Sequence, residues 1–198
     1  MHMKRPSKPN ASSRLAHEVR IIGGQWKRTR LAVPDKAGLR PTPDRVRETL
    51  FNWLGQELTG WRCLDAFAGT GALGLEAASR GAAEVLLVEQ DAQLVAQLRA
   101  VAEKLGAPMV KVERANALSV LGRLAGAGLD LIFLDPPYEA DVLDKALGAA
   151  AAALGPRGLV YLEAPVAWDD ARLAPHGLSV LRQLKAGAVH AHLLGRTA

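Results

Sequence analysis

Apolar runs alternate along most of the chain with segments in which apolar residues recur at helical spacing. The runs at 85–88 and 129–134 are continuous rather than alternating, which predicts strands covered on both faces. Leu94, Leu98 and Val101 lie between such runs and predict an amphipathic helix. Strands that alternate with helices in this way predict an α/β fold with a doubly wound, mostly parallel sheet.

The pattern predicts seven strands for this sheet, with helices on its faces. The strands are expected at 63–67, 85–88, 110–112, 129–134, 159–162, 178–184 and 189–194, and the helices at 43–58, 72–80, 92–105, 116–124 and 142–154. Ala186-Gly187 separates the last two strands, which are expected to pair as a terminal antiparallel hairpin. Ligands of such sheets bind beyond the carboxyl ends of the strands, near the switch in strand order.

A basic N-terminal segment precedes the alternating strands and helices. Residues 1–47 carry a net charge of +9 and residues 48–198 carry −4, so a polyanionic partner is expected. Residues 19–22 predict a strand, Gly23-Gly24 a turn and residues 30–33 the returning strand. We therefore divide the chain into a disordered basic tail (1–17), a β-hairpin extension (18–38) and a main domain (39–198).

The composition narrows the class of protein. Hydrophobic residues make up 49% of the chain, enough for a sizeable core, and no apolar run is long enough to span a bilayer. The first residues lack the pattern of a signal peptide, and Cys63 is the single cysteine, so neither an internal disulfide nor a zinc site is expected. We therefore expect a cytoplasmic protein without a bound metal.

Residues 40–44 read Arg-Pro-Thr-Pro-Asp and predict a loop that enters a helix. Thr42 is expected to cap this helix through its hydroxyl. Pro43 suits the first helical position, and Asp44 suits the positive end of the helix dipole.

A glycine-rich segment at 65–74 contains a G-x-G-x-x-G pattern between a strand and a helix. Dinucleotide-binding folds share this pattern, but Asp65 suits a ligand with an ammonium or sulfonium group better than a pyrophosphate. Glu89 ends the next strand, where a carboxylate accepts hydrogen bonds from both hydroxyls of a ribose. Asn116, after the third strand, is either a contact to an adenine edge or an ordinary helix cap.

Asp135-Pro136-Pro137-Tyr138 directly follows the strand at 129–134. The two prolines predict a stiff turn that holds the Asp135 side chain and the Pro136 carbonyl as neighbouring acceptors, while Tyr138 offers a flat face for a base. An exocyclic amine on an aromatic ring is a poor nucleophile, because its lone pair is delocalised into the ring. Two acceptors that bind its hydrogens localise and aim that lone pair, which suits in-line methyl transfer from a sulfonium.

The motif at 135–138 resembles the Asn/Asp-Pro-Pro-Tyr/Phe motif of class I amino-methyltransferases, which have a Rossmann-like fold. More specifically, the chain resembles the RsmD family, whose members form N2-methylguanine in 16S ribosomal RNA of the small subunit. The resemblance covers residues 19–195 and rests on the stretches 20–24, 40–54, 65–74 and 135–138. Thr70 stands where serine is common in the family, a difference that keeps the hydroxyl.

The resemblance implies S-adenosyl-L-methionine as cofactor, ribosomal RNA in an assembling small subunit as partner, and a monomer. It implies that Thr42 closes over the methionine end of the cofactor, that Glu89 holds the ribose and that Asn116-Ala117 holds the adenine. The expected cofactor-binding residues are Thr42, Asp65, Phe67, Ala68, Gly69, Gly71, Glu89, Gln90, Asn116 and Ala117. The expected catalytic residues are Asp135, Pro136, Pro137 and Tyr138.

A pocket built for one base cannot by itself select one guanine in a ribosomal RNA, so contacts outside the pocket are needed. We expect the basic hairpin to bind phosphates through its arginines and lysine and to stack a base on its tryptophan. The expected RNA-binding residues are Arg20, Trp26, Lys27, Arg28 and Arg30.

Three other functions stay open at this point. DNA adenine-N6 and protein glutamine-N5 methyltransferases use a closely related Pro-Pro-Tyr motif, but they usually carry a recognition domain for which this chain has no room. A non-catalytic RNA-binding assembly factor on the same scaffold is disfavoured by the intact Asp65, Glu89 and Asp135. A nicotinamide-dependent oxidoreductase is disfavoured by the motif at 135–138.

Overall fold

The computed structural model describes residues 17–36, 39, 41–136 and 140–197. The strands are β1 (His17–Arg20), β2 (Arg30–Val33), β3 (Arg62–Asp65), β4 (Glu84–Glu89), β5 (Val110–Arg114), β6 (Leu129–Leu134), β7 (Leu154–Ala164), β8 (Leu178–Ala186) and β9 (Val189–Arg196). The helices are α1 (Asp44–Leu54), α2 (Ala72–Ser79), α3 (Ala92–Lys104), α4 (Ala117–Arg123), α5 (Ala140–Ala153) and α6 (Asp170–Leu173). Most of the predicted tail, residues 1–16, lies outside the described residues.

The main sheet has seven strands in the order β5-β4-β3-β6-β7-β9-β8. Strands β3 to β7 run parallel, and β9 pairs antiparallel with both β7 and β8. The chain moves outward from β3 to β5 and then returns to place β6 on the other side of β3, so the strand order switches between β3 and β6. The prediction of a doubly wound sheet with a terminal antiparallel hairpin is confirmed.

Alternate residues along the strands pack into two hydrophobic clusters, one on each face of the sheet. Phe133 and Tyr161 belong to the cluster formed with α1, α2 and α3, whereas their neighbours along the chain belong to the cluster formed with α4, α5 and α6. Side chains of a strand alternate between faces, so residues two positions apart share a face. Asp135 and Glu163 therefore lie on the face of the sheet that packs against α1–α3, beside Asp65 at the end of β3.

Strands β1 and β2 form a separate antiparallel ribbon that is joined to α1 and α2 by a buried ionic network. Glu76 of α2 accepts hydrogen bonds from the backbone N–H groups of Ile22 and Gly23, each at 2.7 Å. The same carboxylate is ion-paired with Arg47 of α1 and with Arg80. Because Glu76 and Arg47 are fully buried, water does not compete for these contacts, and the hairpin is held firmly against the main domain.

Two local predictions are wrong. Thr42 does not cap α1, because Pro43 occupies the N-cap position and the Thr42 hydroxyl donates to Glu163, 121 residues away. The strand predicted at 159–162 begins five residues earlier, because β7 starts at Leu154, which pairs with Leu129 of β6.

The segment between β7 and β8 contains a short helix, α6, that the sequence pattern does not predict. Asp169 caps α6 by accepting a hydrogen bond from the N–H of Arg172, and the buried Trp168 before it packs into the α4–α6 cluster. A helix of four residues is too short to show a helical hydrophobic period. In the described part of the chain, no helix is long and apolar enough to cross a membrane.

Candidate active site

A cavity of about 940 Å³ opens at the carboxyl ends of the parallel strands. It lies at the switch in strand order, where the topology predicts a ligand site. Ten residues expected from the sequence line it: Thr42, Asp65, Phe67, Ala68, Gly69, Glu89, Gln90, Ala117, Asp135 and Pro136. The cavity volume is in the range of sites that bury a ligand of cofactor size.

The glycine segment packs α2 closely against β3 and β4. Gly71 takes the N-cap position of α2 with φ of 80°, a left-handed conformation that favours glycine. A Cβ atom on Gly74 would lie 2.2 Å from the Leu87 side chain and 3.1 Å from that of Asp65, so a larger residue does not fit there without a shift. The segment thereby brings backbone and the start of a helix to the cavity floor.

Backbone N–H groups hold the carboxylate of Glu89 at the end of β4. Its Oε2 accepts a hydrogen bond from the N–H of Gly69 at 3.0 Å. Its Oε1 accepts hydrogen bonds from the N–H groups of Gln90 at 2.8 Å and Asp91 at 2.9 Å. A carboxylate offers about four lone-pair sites, so acceptor capacity remains for a ligand. Glu89 is thus oriented at the cavity wall, in the position that the sequence predicts for a ribose contact.

Asp65 ends β3 beneath the cavity and is only 2% exposed. Its Oδ2 accepts a hydrogen bond from the N–H of Gly74 at 2.9 Å. Burial raises the pKa of Asp65 to about 7, against the effect of this hydrogen bond, and the negative charges of Glu89 and Glu163 raise it further. The carboxyl therefore binds a proton more readily than an ordinary aspartate does.

Asp135 and Pro136 follow β6 and form the adjoining wall of the cavity. Burial raises the pKa of the Asp135 carboxyl well above its usual range, and the negative charges of Glu163 and Asp65 add to the increase. Pro137 and Tyr138 lie outside the described residues, so the predicted stacking face stays a prediction.

Glu163 is a cavity residue that the sequence analysis does not identify. It lies beside Asp135, because β6 and β7 pair in register up to the residues that precede the two acids. Its Oε1 accepts hydrogen bonds from the hydroxyls of Thr42 at 2.7 Å and Tyr161 at 2.8 Å, and the residue is 3% exposed. Burial raises the pKa of Glu163, while the two hydroxyl bonds lower it. An acid at the end of an apolar run is the only sequence signal for this residue.

Asp65, Asp135 and Glu163 concentrate negative charge on one side of the cavity. Among the residues that the structure describes, no lysine or arginine bonds to these three acids, and Lys36 of the cavity wall is ion-paired with Asp91. Like charges in a buried site repel one another, so a ligand with positive charge is stabilised there. In the same described residues, no group of three or more His, Cys, Asp or Glu is arranged to hold a metal ion. The residues therefore fit an organic cation such as a sulfonium or ammonium group.

Two of the expected cofactor-binding residues lie outside the lining of the cavity. Gly71 serves the turn into α2, and Asn116 is exposed, with its Oδ1 capping α4 through the N–H of Ser119 at 3.1 Å. The adenine contact of Asn116 stays a prediction, with Ala115 and Ala117 lining the cavity on either side of it. Lining residues that the sequence does not identify include Lys36, Leu39, Pro41, Leu73, Leu94, Ala188 and Val189.

The hairpin residues expected to bind RNA have different surroundings. Arg20 and Arg30 are exposed, and each is ion-paired with an acidic residue, at 2.9 and 3.0 Å. Lys27 and Arg28 are exposed at the turn, and neither forms an ion pair within the described residues. Trp26 is half-buried and packs against the α1–α3 cluster, so only part of its ring is open to a partner. The RNA contacts of these residues stay predictions.

The sequence profile of a family described as conserved hypothetical protein 95 matches residues 19–195. Ribosomal RNA small subunit methyltransferase D of Escherichia coli K12 is 42% identical to this chain over 96% of both proteins. The protein of the same name from Haemophilus influenzae is 36% identical over 94% of this chain and 96% of its own length.

Solved structures show the same architecture. A hypothetical protein of Thermus thermophilus is 30% identical, with a TM-score of 0.73, and the match covers 88% of this chain and 98% of that one. A 16S rRNA N2 methyltransferase of the same organism, RsmC in complex with AdoMet and guanosine, is 25% identical, with a TM-score of 0.68, over 92% of this chain and 50% of that one. The chain thus belongs to the conserved hypothetical protein 95 family, the family of ribosomal RNA small subunit methyltransferase D.

Proposed function

We propose that this protein transfers a methyl group from S-adenosylmethionine to the N2 amine of a guanine in 16S ribosomal RNA. The observation that carries the proposal is the buried acidic wall of the cavity, with Asp135 and Pro136 placed directly after β6. Relatives at 36% and 42% identity are named for methylation of small-subunit ribosomal RNA, and the RsmC structure contains AdoMet and guanosine. These findings favour this function over the DNA, protein and oxidoreductase alternatives.

The lining residues suit the parts of the cofactor. Glu89 has acceptor capacity for ribose hydroxyls, and Ala115 and Ala117 offer an apolar wall for an adenine. Asp65, buried beneath the cavity, stabilises the sulfonium and ammonium charges. When bound, S-adenosylmethionine supplies a methyl group that is activated for transfer by the sulfonium.

The residues after β6 orient and deprotonate the amine. The Asp135 carboxylate and the Pro136 carbonyl accept the two amine hydrogens, which directs the nitrogen lone pair toward the methyl group. As the amine nitrogen takes the methyl group from sulfur, it becomes positively charged and must lose a proton. Asp135 is the acceptor beside it, and its raised pKa makes proton uptake by an Oδ atom more favourable than for an ordinary carboxylate.

We further propose that the RNA is bound within an assembling small subunit and that the enzyme acts as a cytoplasmic monomer. A charge of +9 over residues 1–47 supports a partner rich in phosphate.

The direct test supplies methyl-labelled S-adenosylmethionine with four acceptors: naked 16S RNA, unmodified small subunits, DNA and total protein. We expect label in the RNA, recovered as N2-methylguanosine after digestion. Asp135→Ala should lower turnover by about 100-fold or more, because the amine loses its acceptor, and should leave binding of S-adenosylhomocysteine unchanged. Label only in DNA or protein, or a wild-type rate in the variant, would contradict the proposal.

A further inference from the structure

Glu163 lies on the side of the cavity away from the ribose contact. The sheet order places β7 beyond β6, three strands from β4, where Glu89 lies. At a spacing of about 4.8 Å between strands, β4 and β7 are about 14 Å apart. A cofactor whose ribose is held at Glu89 therefore extends over β3 toward β6, and Glu163 borders the space beside Asp135 that is left for the substrate.

The carboxylate of Glu163 is held in one orientation. The hydroxyls of Thr42 and Tyr161 both donate to the same oxygen, Oε1, and all three residues are buried. Within the described residues, no donor bonds to Oε2, although the side chain lines the cavity. A fixed acceptor atom thus borders the substrate space, and a ligand donor that reaches it recovers a hydrogen bond that burial otherwise withholds.

Guanine matches this arrangement of acceptors. Its N1–H lies next to the N2 amine, so two adjacent positions of the base donate hydrogen bonds, whereas N1 of adenine only accepts. Asp135 follows β6 and Glu163 lies beside it near the end of β7, so the two carboxyl groups are neighbouring acceptors. We propose that Glu163 accepts the N1–H of the target guanine through Oε2 while Asp135 accepts its N2 amine, so that Glu163 selects the base. This inference rests on the proposed function, because it takes N2 of guanine as the methylated atom.

The contact would act on specificity rather than on cofactor binding. A base without a hydrogen at N1 places its lone pair against the Glu163 carboxylate, and both acceptors then lack a donor. Sites built to bind an N–H group reject analogues that lack it far more strongly than apolar pockets reject a change in size. 2-Aminopurine keeps the amine at C2 but has no hydrogen at N1. It also lacks O6, so the Glu163→Gln variant is needed to assign the preference to N1.

The test compares guanine with 2-aminopurine at the methylated position. Small subunits are assembled from 16S RNA that carries either base at the position where mass spectrometry finds the methyl group, and kcat/KM is measured for each. We expect the wild-type protein to prefer guanine by about 100-fold or more. Glu163→Gln should reduce this preference to about tenfold or less, because a carboxamide both donates and accepts hydrogen bonds.

Glu89→Gln is the matched control, since it changes the other glutamate among the described lining residues in the same way. Glu89→Gln should weaken binding of S-adenosylhomocysteine and keep the preference for guanine. Glu163→Gln should keep the binding of S-adenosylhomocysteine and reduce the preference for guanine. The carboxamide oxygen that Glu163→Gln introduces can still accept the hydroxyls of Thr42 and Tyr161, and thermal unfolding checks that the variant folds.

Each remaining outcome has one meaning. If the wild-type protein uses guanine and 2-aminopurine equally well, the inference is wrong. This comparison needs no variant, so it can still be made if the Glu163→Gln protein does not fold. An unchanged preference in the folded variant, or weaker cofactor binding as its sole defect, overturns the inference and leaves the proposed function standing. A wild-type protein that methylates no guanine overturns both.

Discussion

Asp65 combines a cost in stability with a gain in binding. It is 2% exposed, and burial raises its pKa to about 7, so a proton competes with any cationic ligand for this carboxyl. Burial also raises the pKa of Asp135 and Glu163 in the same wall. A ligand that carries a sulfonium and an ammonium group stabilises the ionised form of Asp65, so we expect cofactor binding to be linked to proton release from this group.

The affinity for S-adenosylmethionine should therefore fall as the pH is lowered from about 8 to about 5.5, by up to tenfold per pH unit for each proton released. Calorimetry at about pH 6 in two buffers of different ionisation enthalpy should detect the released protons. S-Adenosylhomocysteine, which lacks the sulfonium charge, should show a shallower dependence. An affinity for S-adenosylmethionine that is independent of pH over this range would contradict the assignment.

The free energy of unfolding of the ligand-free protein should show the complementary dependence. The folded-state pKa of Asp65 lies above its value of 3.8 in the unfolded chain, so stability from this group is present at low pH and is lost as the pH rises to about 7. Asp65→Asn should be more stable than wild type at about pH 8, by on the order of 1–4 kcal/mol, and this excess should shrink toward about pH 4. Urea unfolding at several pH values measures it. If the wild-type protein is as stable as Asp65→Asn at about pH 8, the raised pKa of Asp65 is contradicted.

Elements with a strong local signal can be predicted from the sequence alone. The strand at Leu129–Leu134 has the predicted bounds because its apolar run is continuous, and the helix predicted at 92–105 is α3, which Asp91 caps. Thr42 shows where local signals are insufficient. Its hydroxyl has a long-range partner, Glu163, which only the folded sheet brings within reach.

The candidate site also contains residues that the sequence predicts and residues that it does not. Asp65, Glu89 and Asp135 can be predicted because each follows a strand next to a recognisable motif. Glu163 has no motif, and its place beside Asp135 depends on the register between β6 and β7. The charge of Glu76 also has no local explanation, since every residue of α2 is buried and the helix shows no polar face.

Glu76 is therefore expected to matter to the attachment of the hairpin. Glu76→Ala leaves Arg47, Arg80 and the N–H groups of Ile22 and Gly23 without their buried acceptor, which should lower the free energy of unfolding by about 3–5 kcal/mol. Urea unfolding measures the loss, and hydrogen exchange should show faster exchange at the two N–H groups.

Glu84→Ala is the control for this change. Its ion pair with Arg62 is exposed, so removal should change stability by no more than about 0.5 kcal/mol. If Glu76→Ala is as mild as this control, the network does not hold the hairpin.

At the scale of the whole molecule, the turn of the basic hairpin and the glycine segment of the active site lie at opposite ends of α2. The hairpin turn bonds to Ser79, the last residue of α2, whereas the glycine segment precedes the first. Eight helical residues span about 12 Å, which separates the turn from the glycine segment of the cavity. The geometry favours binding of RNA that flanks the target, with the acidic body left to hold the cofactor.

Lys27→Glu combined with Arg28→Glu tests this division of roles. Both side chains are exposed, and neither forms an ion pair in the described part of the chain, so their reversal should leave the fold and cofactor affinity unchanged. The KM for the RNA substrate should rise about tenfold or more, and the slope of log affinity against log salt should fall by about 1.4 to 1.8, the loss of two phosphate contacts. Lys111→Glu with Arg157→Glu makes the same change of charge at exposed positions on β5 and β7 and should have little effect on either quantity. If both double variants raise KM equally, the effect is one of net charge, and the hairpin is not the RNA-binding surface.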